Sequence, residues 1–153
     1  MRLRSDLVSS APALSIRQPW AEAIVSGRKS IEIRNWTTRY RGPVWVHAAK
    51  HAAPHLLEME TERSCLYRGG VVGIVSLEAV VSMTPERWEL WRDQHLATGD
   101  YPSGTFAWLL TEQHRLPRPV SVEGSLKLFN LPENTLRELL TEFAQLEGPL
   151  LGS

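Results

Sequence analysis

Apolar and polar side chains alternate through Ala13-Leu14-Ser15-Ile16-Arg17, the two-residue period of a half-buried strand, and this is the first ordered element the chain predicts. A short helix follows, because Pro19 suits a first helical turn, Trp20 and Ile24 share one face, and Gly27 can take the left-handed conformation that closes a helix. Alternation resumes from Ser30 to Trp36, with Ile31 and Ile33 on one face and Glu32, Arg34 and Trp36 on the other. After the turn signal Arg41-Gly42-Pro43 comes a strand at Val44-Trp45-Val46-His47. Leu56, Leu57 and Met59 predict a helix from Pro54 to about Arg63, and Gly69-Gly70 opens a buried strand from Val71 to about Val81. Thr84 and Pro85 read as an N-cap and first helical residue, with Trp88, Trp91 and His95 on one face of the helix they begin. A strand from Thr105 to about Thr111, a sixth between Val120 and Phe129, and a last helix from near Pro132 burying Leu136, Leu139, Leu140 and Phe143 complete the order.

Short strands with helices inserted between them imply an α+β domain, a small mixed β-barrel of about six strands with peripheral helices. No Gly-rich phosphate loop supports a doubly wound sheet, and no internal repeat is present. The expected layout is a flexible N-terminal tail over 1–12, one domain over 13–147 that includes the C-terminal helix, and a loose tail over 148–153. At 153 residues with 42% hydrophobic and 22% charged side chains, one core suffices, and disordered, collagenous and coiled-coil classes are excluded. The longest apolar run, Val71 to Val81, is interrupted by Gly73, Ser76 and Glu78, so no membrane partner is expected. Two arginines near the start lack the apolar segment of a secretory signal, and the single cysteine, Cys65, fits a cytoplasmic protein.

The formal net charge is zero, yet residues 1–50 carry nine basic against three acidic side chains. That surplus describes either a local basic surface able to meet phosphate or an ordinary solvated face. The segment Gly27-Arg28-Lys29-Ser30-Ile31-Glu32-Ile33-Arg34 sharpens the choice. One strand face presents a carboxylate, a guanidinium and an indole in succession, with Lys29 just before it. An arginine fork clamps phosphate or a base edge, a carboxylate accepts from an exocyclic amine, and an indole stacks on an unpaired base. The same pattern also suits a structural face on which Glu32 and Arg34 pair with neighbouring strands. His47, His51 and His55 recur every four residues, but His47 falls in a strand and Pro54 breaks the run, so no metal site is expected. Trp20, Trp45, Trp88, Trp91 and Trp108 suit the core, while Trp20 and Trp36 flank the basic motif.

GRKSIEIR resembles the GxKxxExR signature of ASCH domains, a family related to the PUA fold. Leu14-Ser15-Ile16-Arg17-Gln18-Pro19-Trp20 is similar to the family's opening strand and helix start, and Arg41-Gly42-Pro43-Val44-Trp45-Val46-His47-Ala48-Ala49 to its next strand. The likeness covers about residues 13–130 and implies a small β-barrel whose cleft faces nucleic acid or a nucleoside. Some relatives are nucleic-acid modules, for which Lys29, Arg34 and the aromatic residues would be contacts. Others are amidohydrolases that remove the acetyl group of N4-acetylcytidine with a lysine matching Lys29 and a threonine three residues on, where this chain has Glu32. The resulting expectation is recognition of RNA, single-stranded nucleic acid or a nucleoside, without a cofactor. The expected binding residues are Arg17, Gln18, Trp20, Lys29, Glu32, Arg34, Trp36, Arg39, Arg41 and His47. Two alternatives stand beside it: an amidohydrolase in which Glu32 activates water and Lys29 stabilises the oxyanion, and a module that meets an acidic protein partner.

Overall fold

The computed structural model describes residue 3 and residues 5–51 and 66–151, and its strands largely follow the alternation in the sequence. In chain order these are β1 (Ala13–Ile16), β2 (Ile31–Arg34), β3 (Gly42–Ala48), β4 (Gly70–Ser82), β5 (Phe106–Ser121) and β6 (Leu128–Phe129). The helices are α1 (Ser5–Val8), α2 (Trp20–Val25), α3 (Pro85–Leu90), α4 (Arg92–His95) and α5 (Glu133–Leu151). All six strands join one mixed sheet in the spatial order β2-β5-β4-β3-β1-β6, in which β1 and β3 run parallel and the other neighbours antiparallel. The sheet curls into a half-barrel whose two edges are β2 and β6.

Both faces of the central strands are covered, which explains why β4 is buried without a break from Gly70 to Leu77. Ile24 of α2 packs on one face with Val46, Val75 and Trp108. On the other, Trp45 and Ile74 meet Leu139 and Phe143 of α5, with the Trp45 and Phe143 rings edge to face at 6.4 Å. Each such side chain stabilises the fold by about 1.5–3 kcal/mol relative to exposure. Ile31, Met83 and Trp88 form a third cluster beneath α3.

Four expectations need correction. The strand expected to stop near Thr111 continues to Ser121 and takes up the start of the expected sixth strand, leaving only Leu128–Phe129 as β6. Register shifts against β4 and the left-handed Glu112 (φ 48°) scramble the alternation there. Pro117 and Pro119 are tolerated because β2 pairs only with residues 106–109 of β5, so among the described residues one side of the later stretch carries no partner strand. The helix expected from Thr84 through His95 breaks at Trp91 (φ −103°, ψ 19°) into α3 and α4. Residues 1–12, expected to form a loose tail, contain α1 and bury Leu3 and Val8 against Trp45 and Phe143. The C-terminal helix extends to Leu151, beyond the expected end at 147. The helix expected from Pro54 to Arg63, His55 and Cys65 lie outside the described residues.

Candidate nucleic-acid interface

The site lies at the seam between the two sheet edges. A cleft of about 680 Å³ is bounded by Arg17 and Trp20 after β1, by Glu32, Arg34 and Trp36 on and beyond β2, and by Ser125, Leu126 and Lys127 ahead of β6. Side chains close the seam where no strand pairing does. Arg34 Nη2 donates to the Ser15 carbonyl at 3.0 Å, and Lys127 Nζ stands 5.5 Å from the centre of the Trp36 ring. Trp36 meets Trp108 edge to face at 4.7 Å, and its carbonyl accepts from the Trp108 indole N–H at 3.3 Å. One indole therefore forms both the cleft wall and the edge of the core.

Beneath the cleft runs a chain of charges. Gly27 (φ 88°) ends the α2 turn as expected, and the Lys29 N–H donates to the Ala23 carbonyl at 2.9 Å. This turn sends the Lys29 side chain inward. Its ammonium is 3.6 Å from Glu32 Oε1, donates to the His95 carbonyl, and lies 5.4 Å from the centre of the Trp20 ring. Glu32 Oε2 accepts in turn from Arg34 Nε at 2.9 Å. Lys29 is only 4% exposed and Glu32 8%, whereas the Arg34 side chain keeps 23% of its surface. Burial lowers the Lys29 pKa below 10.5, against the opposing attraction of Glu32. Lys29 is thus a buried counter-charge to Glu32, and its ammonium stands beneath the cleft rather than on its surface.

Gln18 is likewise turned into the fold. It is 2% exposed, its Oε1 accepts from the Glu22 N–H at 2.9 Å in the first turn of α2, and its Nε2 donates to the Tyr67 carbonyl at 2.8 Å. His47, 2% exposed, faces a second cleft. Its Nε2–H donates to the Val122 carbonyl at 2.8 Å, so Nδ1 accepts the Ser15 hydroxyl proton at 3.0 Å. Burial lowers the His47 pKa below 6.5, keeping the ring neutral at pH 7. Arg41 lines a separate hollow with Tyr40 and Leu77, and Arg39 is exposed but lines none of the clefts described. Arg17, Trp20, Glu32, Arg34 and Trp36 are brought together; Gln18, Lys29, Arg39, Arg41 and His47 do not join them at the surface.

Three contributors were not legible beforehand. Lys127 comes from the loop before β6, a stretch whose sequence predicts only strand or turn. Gln113 pins the turn below the site by donating to the Ile24 and Lys29 carbonyls at 2.6 and 2.7 Å. His95 holds Lys29 through its carbonyl while its ring stacks on Trp88 at 4.3 Å. Only the helical spacing of Trp88 and His95 gave any signal of that arrangement.

Over 42 residues, 27% of this chain, the sequence is 48% identical to activating signal cointegrator 1 of Homo sapiens, and over 35 residues it is 49% identical to the Mus musculus protein. These matches span only 7% and 6% of the two relatives. Two crystal structures of ASCH from Zymomonas mobilis, one of a mutant, superpose with TM-scores of 0.62 and 0.63 at 20% and 18% identity. They cover 87% and 86% of this chain and 95% and 96% of theirs, and so support the half-barrel fold. The ASCH domain family matches residues 14–120, well over half of the sequence, and the chain belongs to that family.

Proposed function

We propose that the seam cleft binds RNA through an unpaired nucleotide. The observation that carries this reading is the meeting, in one cleft of about 680 Å³, of two indoles (Trp20 and Trp36), a carboxylate (Glu32) and three cations (Arg17, Arg34 and Lys127). Ligand sites commonly occupy roughly 300–1,000 Å³. An unstacked base finds indole surface, its exocyclic amine finds Glu32, and its phosphate finds the cations. Membership of the ASCH family supports RNA as the polymer.

Titrating a single-stranded RNA oligonucleotide against salt tests this. Each neutralised phosphate contributes about −0.7 to the slope of log K against log salt, so Arg17→Ala/Lys127→Ala should flatten the slope by about 1.4 if both cations touch phosphate. Salt-independent affinity, or an unchanged slope in the variant, would overturn the reading.

Glu32 favours a second activity, because a carboxylate on the cleft wall can take a proton from water attacking an acylated nucleoside. Lys29 would then act through Glu32, given its bond to the His95 carbonyl. Loss of acetyl from N4-acetylcytidine that disappears in Glu32→Gln would support hydrolysis; equal turnover in wild type and variant would exclude this role for Glu32.

A further inference from the structure

Ser15 belongs to two clefts at once. Its carbonyl accepts from Arg34 on the RNA-binding side, while its hydroxyl turns to His47 on the floor of a neighbouring cleft of about 540 Å³. Lys50 and Arg68, both exposed, flank that second cleft. Main-chain bonds hold its rims in place: the Gly69 N–H donates to the Ala48 carbonyl at 2.8 Å, and the Val122 N–H to the Gly69 carbonyl at 3.2 Å. The loop after β5 forms a wall common to both, with Glu123 and Gly124 on the second cleft and Ser125, Leu126 and Lys127 on the first. Gly124 lies so close to the floor that a Cβ there would approach His47 Cε1 to 2.7 Å and Ser15 Oγ to 3.2 Å.

We infer that the second cleft is a phosphate subsite for the neighbouring nucleotide of the same strand, so that the ligand is a single-stranded segment of at least two nucleotides. This rests on the function proposed for the first cleft and extends it. Among the described residues that line it, two cations against the one carboxylate of Glu123 leave a positive surplus, which suits a phosphodiester. His47 adds no charge, because the titratable groups around it (Lys50, Arg68 and Glu123) stand on the rim while burial keeps the ring neutral. The hydroxyl of Ser15 is engaged by that ring, which leaves Lys50 and Arg68 as the groups that meet the phosphate.

The test compares the four nucleoside 5′-monophosphates with the corresponding RNA homotetranucleotides, titrated into wild type, Lys50→Ala/Arg68→Ala, and the equal-charge control Arg28→Ala/Arg137→Ala, whose residues are exposed and line neither cleft. The expected result is that a tetranucleotide binds wild type about tenfold or more tighter than its monophosphate, with a salt slope steeper by about 0.7 for the one added phosphate. Lys50→Ala/Arg68→Ala should lose that increment and keep monophosphate affinity, and the control should keep both. Monophosphate binding without an increment, or an increment equally reduced in the control, overturns the subsite alone. If no monophosphate and no tetranucleotide binds, the function proposed for the first cleft fails, and the subsite falls with it.

Discussion

Replacing Glu32 with Gln removes one charge from a buried row of three and leaves the Lys29 ammonium, 4% exposed, with the His95 carbonyl and the Trp20 ring. At 3.6 Å the lost attraction amounts to about 4–5 kcal/mol at an effective dielectric of about 20. Because glutamine still offers Arg34 an acceptor, the net cost should match that of stranding one buried charge, about 3–5 kcal/mol. Lys29→Met should cost less, about 1–3 kcal/mol, since Glu32 keeps Arg34 at 2.9 Å while its Oε1 and the His95 carbonyl lose the ammonium. In the double variant the stranded cation is gone, so its cost should fall short of the sum of the single costs by at least about 2 kcal/mol.

Urea unfolding followed by tryptophan fluorescence measures all three. The pH dependence offers a second readout. The folded pKa of Lys29 lies below 10.5, so between that lowered value and 10.5 the unfolded chain binds more protons and stability rises with pH. Glu32→Gln removes the interaction that opposes the shift, so the rise should begin at a lower pH than in wild type, and Lys29→Met should abolish it. A cost below about 1 kcal/mol for Glu32→Gln, or additivity of the two changes within about 0.5 kcal/mol, would refute the idea that these residues neutralise one another.

Other substitutions address the supports of the site. Gly124→Ala should destabilise by about 1–3 kcal/mol, seen as a lower melting temperature, because its Cβ would intrude on His47 and Ser15; an unchanged melting temperature would mean the loop moves freely. Gln18→Ala removes partners from the Glu22 N–H and the Tyr67 carbonyl in a buried setting and should cost about 1–3 kcal/mol by urea unfolding. His47 and His95 both have pKa values lowered from 6.5, chiefly by burial, so the folded state binds fewer protons and stability should fall as the pH drops below about 6.5. That fall should be shallower in His47→Asn, and an identical slope would remove His47 from the account.

How much of this could be read from the sequence depended on whether a single element carried the signal. The Ile31, Glu32, Ile33, Arg34 alternation placed two side chains on the cleft and two against Met83 and Trp88, because an edge strand of four residues has room for no bulge. In β5 the same rule failed, since three register shifts change which face each residue takes. Gln18 looked polar and therefore available, yet it lies where the first turn of α2 needs an acceptor for the Glu22 N–H. Arg39 and Arg41 are close to Arg34 in sequence, but the turn into β3 carries Arg41 to a different hollow. Lys127 was invisible for the opposite reason: it is 93 residues from Arg34 in sequence and reaches Trp36 only because the sheet curls.

The depth of Lys29 also bears on the kind of partner the proposed function requires. Read along the strand, the motif offers two cations and a carboxylate to a ligand; in the folded protein Glu32 is shared between Lys29 and Arg34, and only Arg34 retains an appreciable surface. The cleft's outward charge therefore comes chiefly from Arg17, Arg34 and Lys127, offset by Glu32, which agrees with a chain whose net charge is zero. So few cations neutralise few phosphates, and long-range attraction for a polyanion stays weak. Under the proposed function, affinity then comes from what the indoles of Trp20 and Trp36 would contribute by stacking, about 1–3 kcal/mol per base. An unpaired base exposes the ring face that such stacking needs, whereas a duplex keeps it covered, so the proposed function calls for single strands rather than double helices.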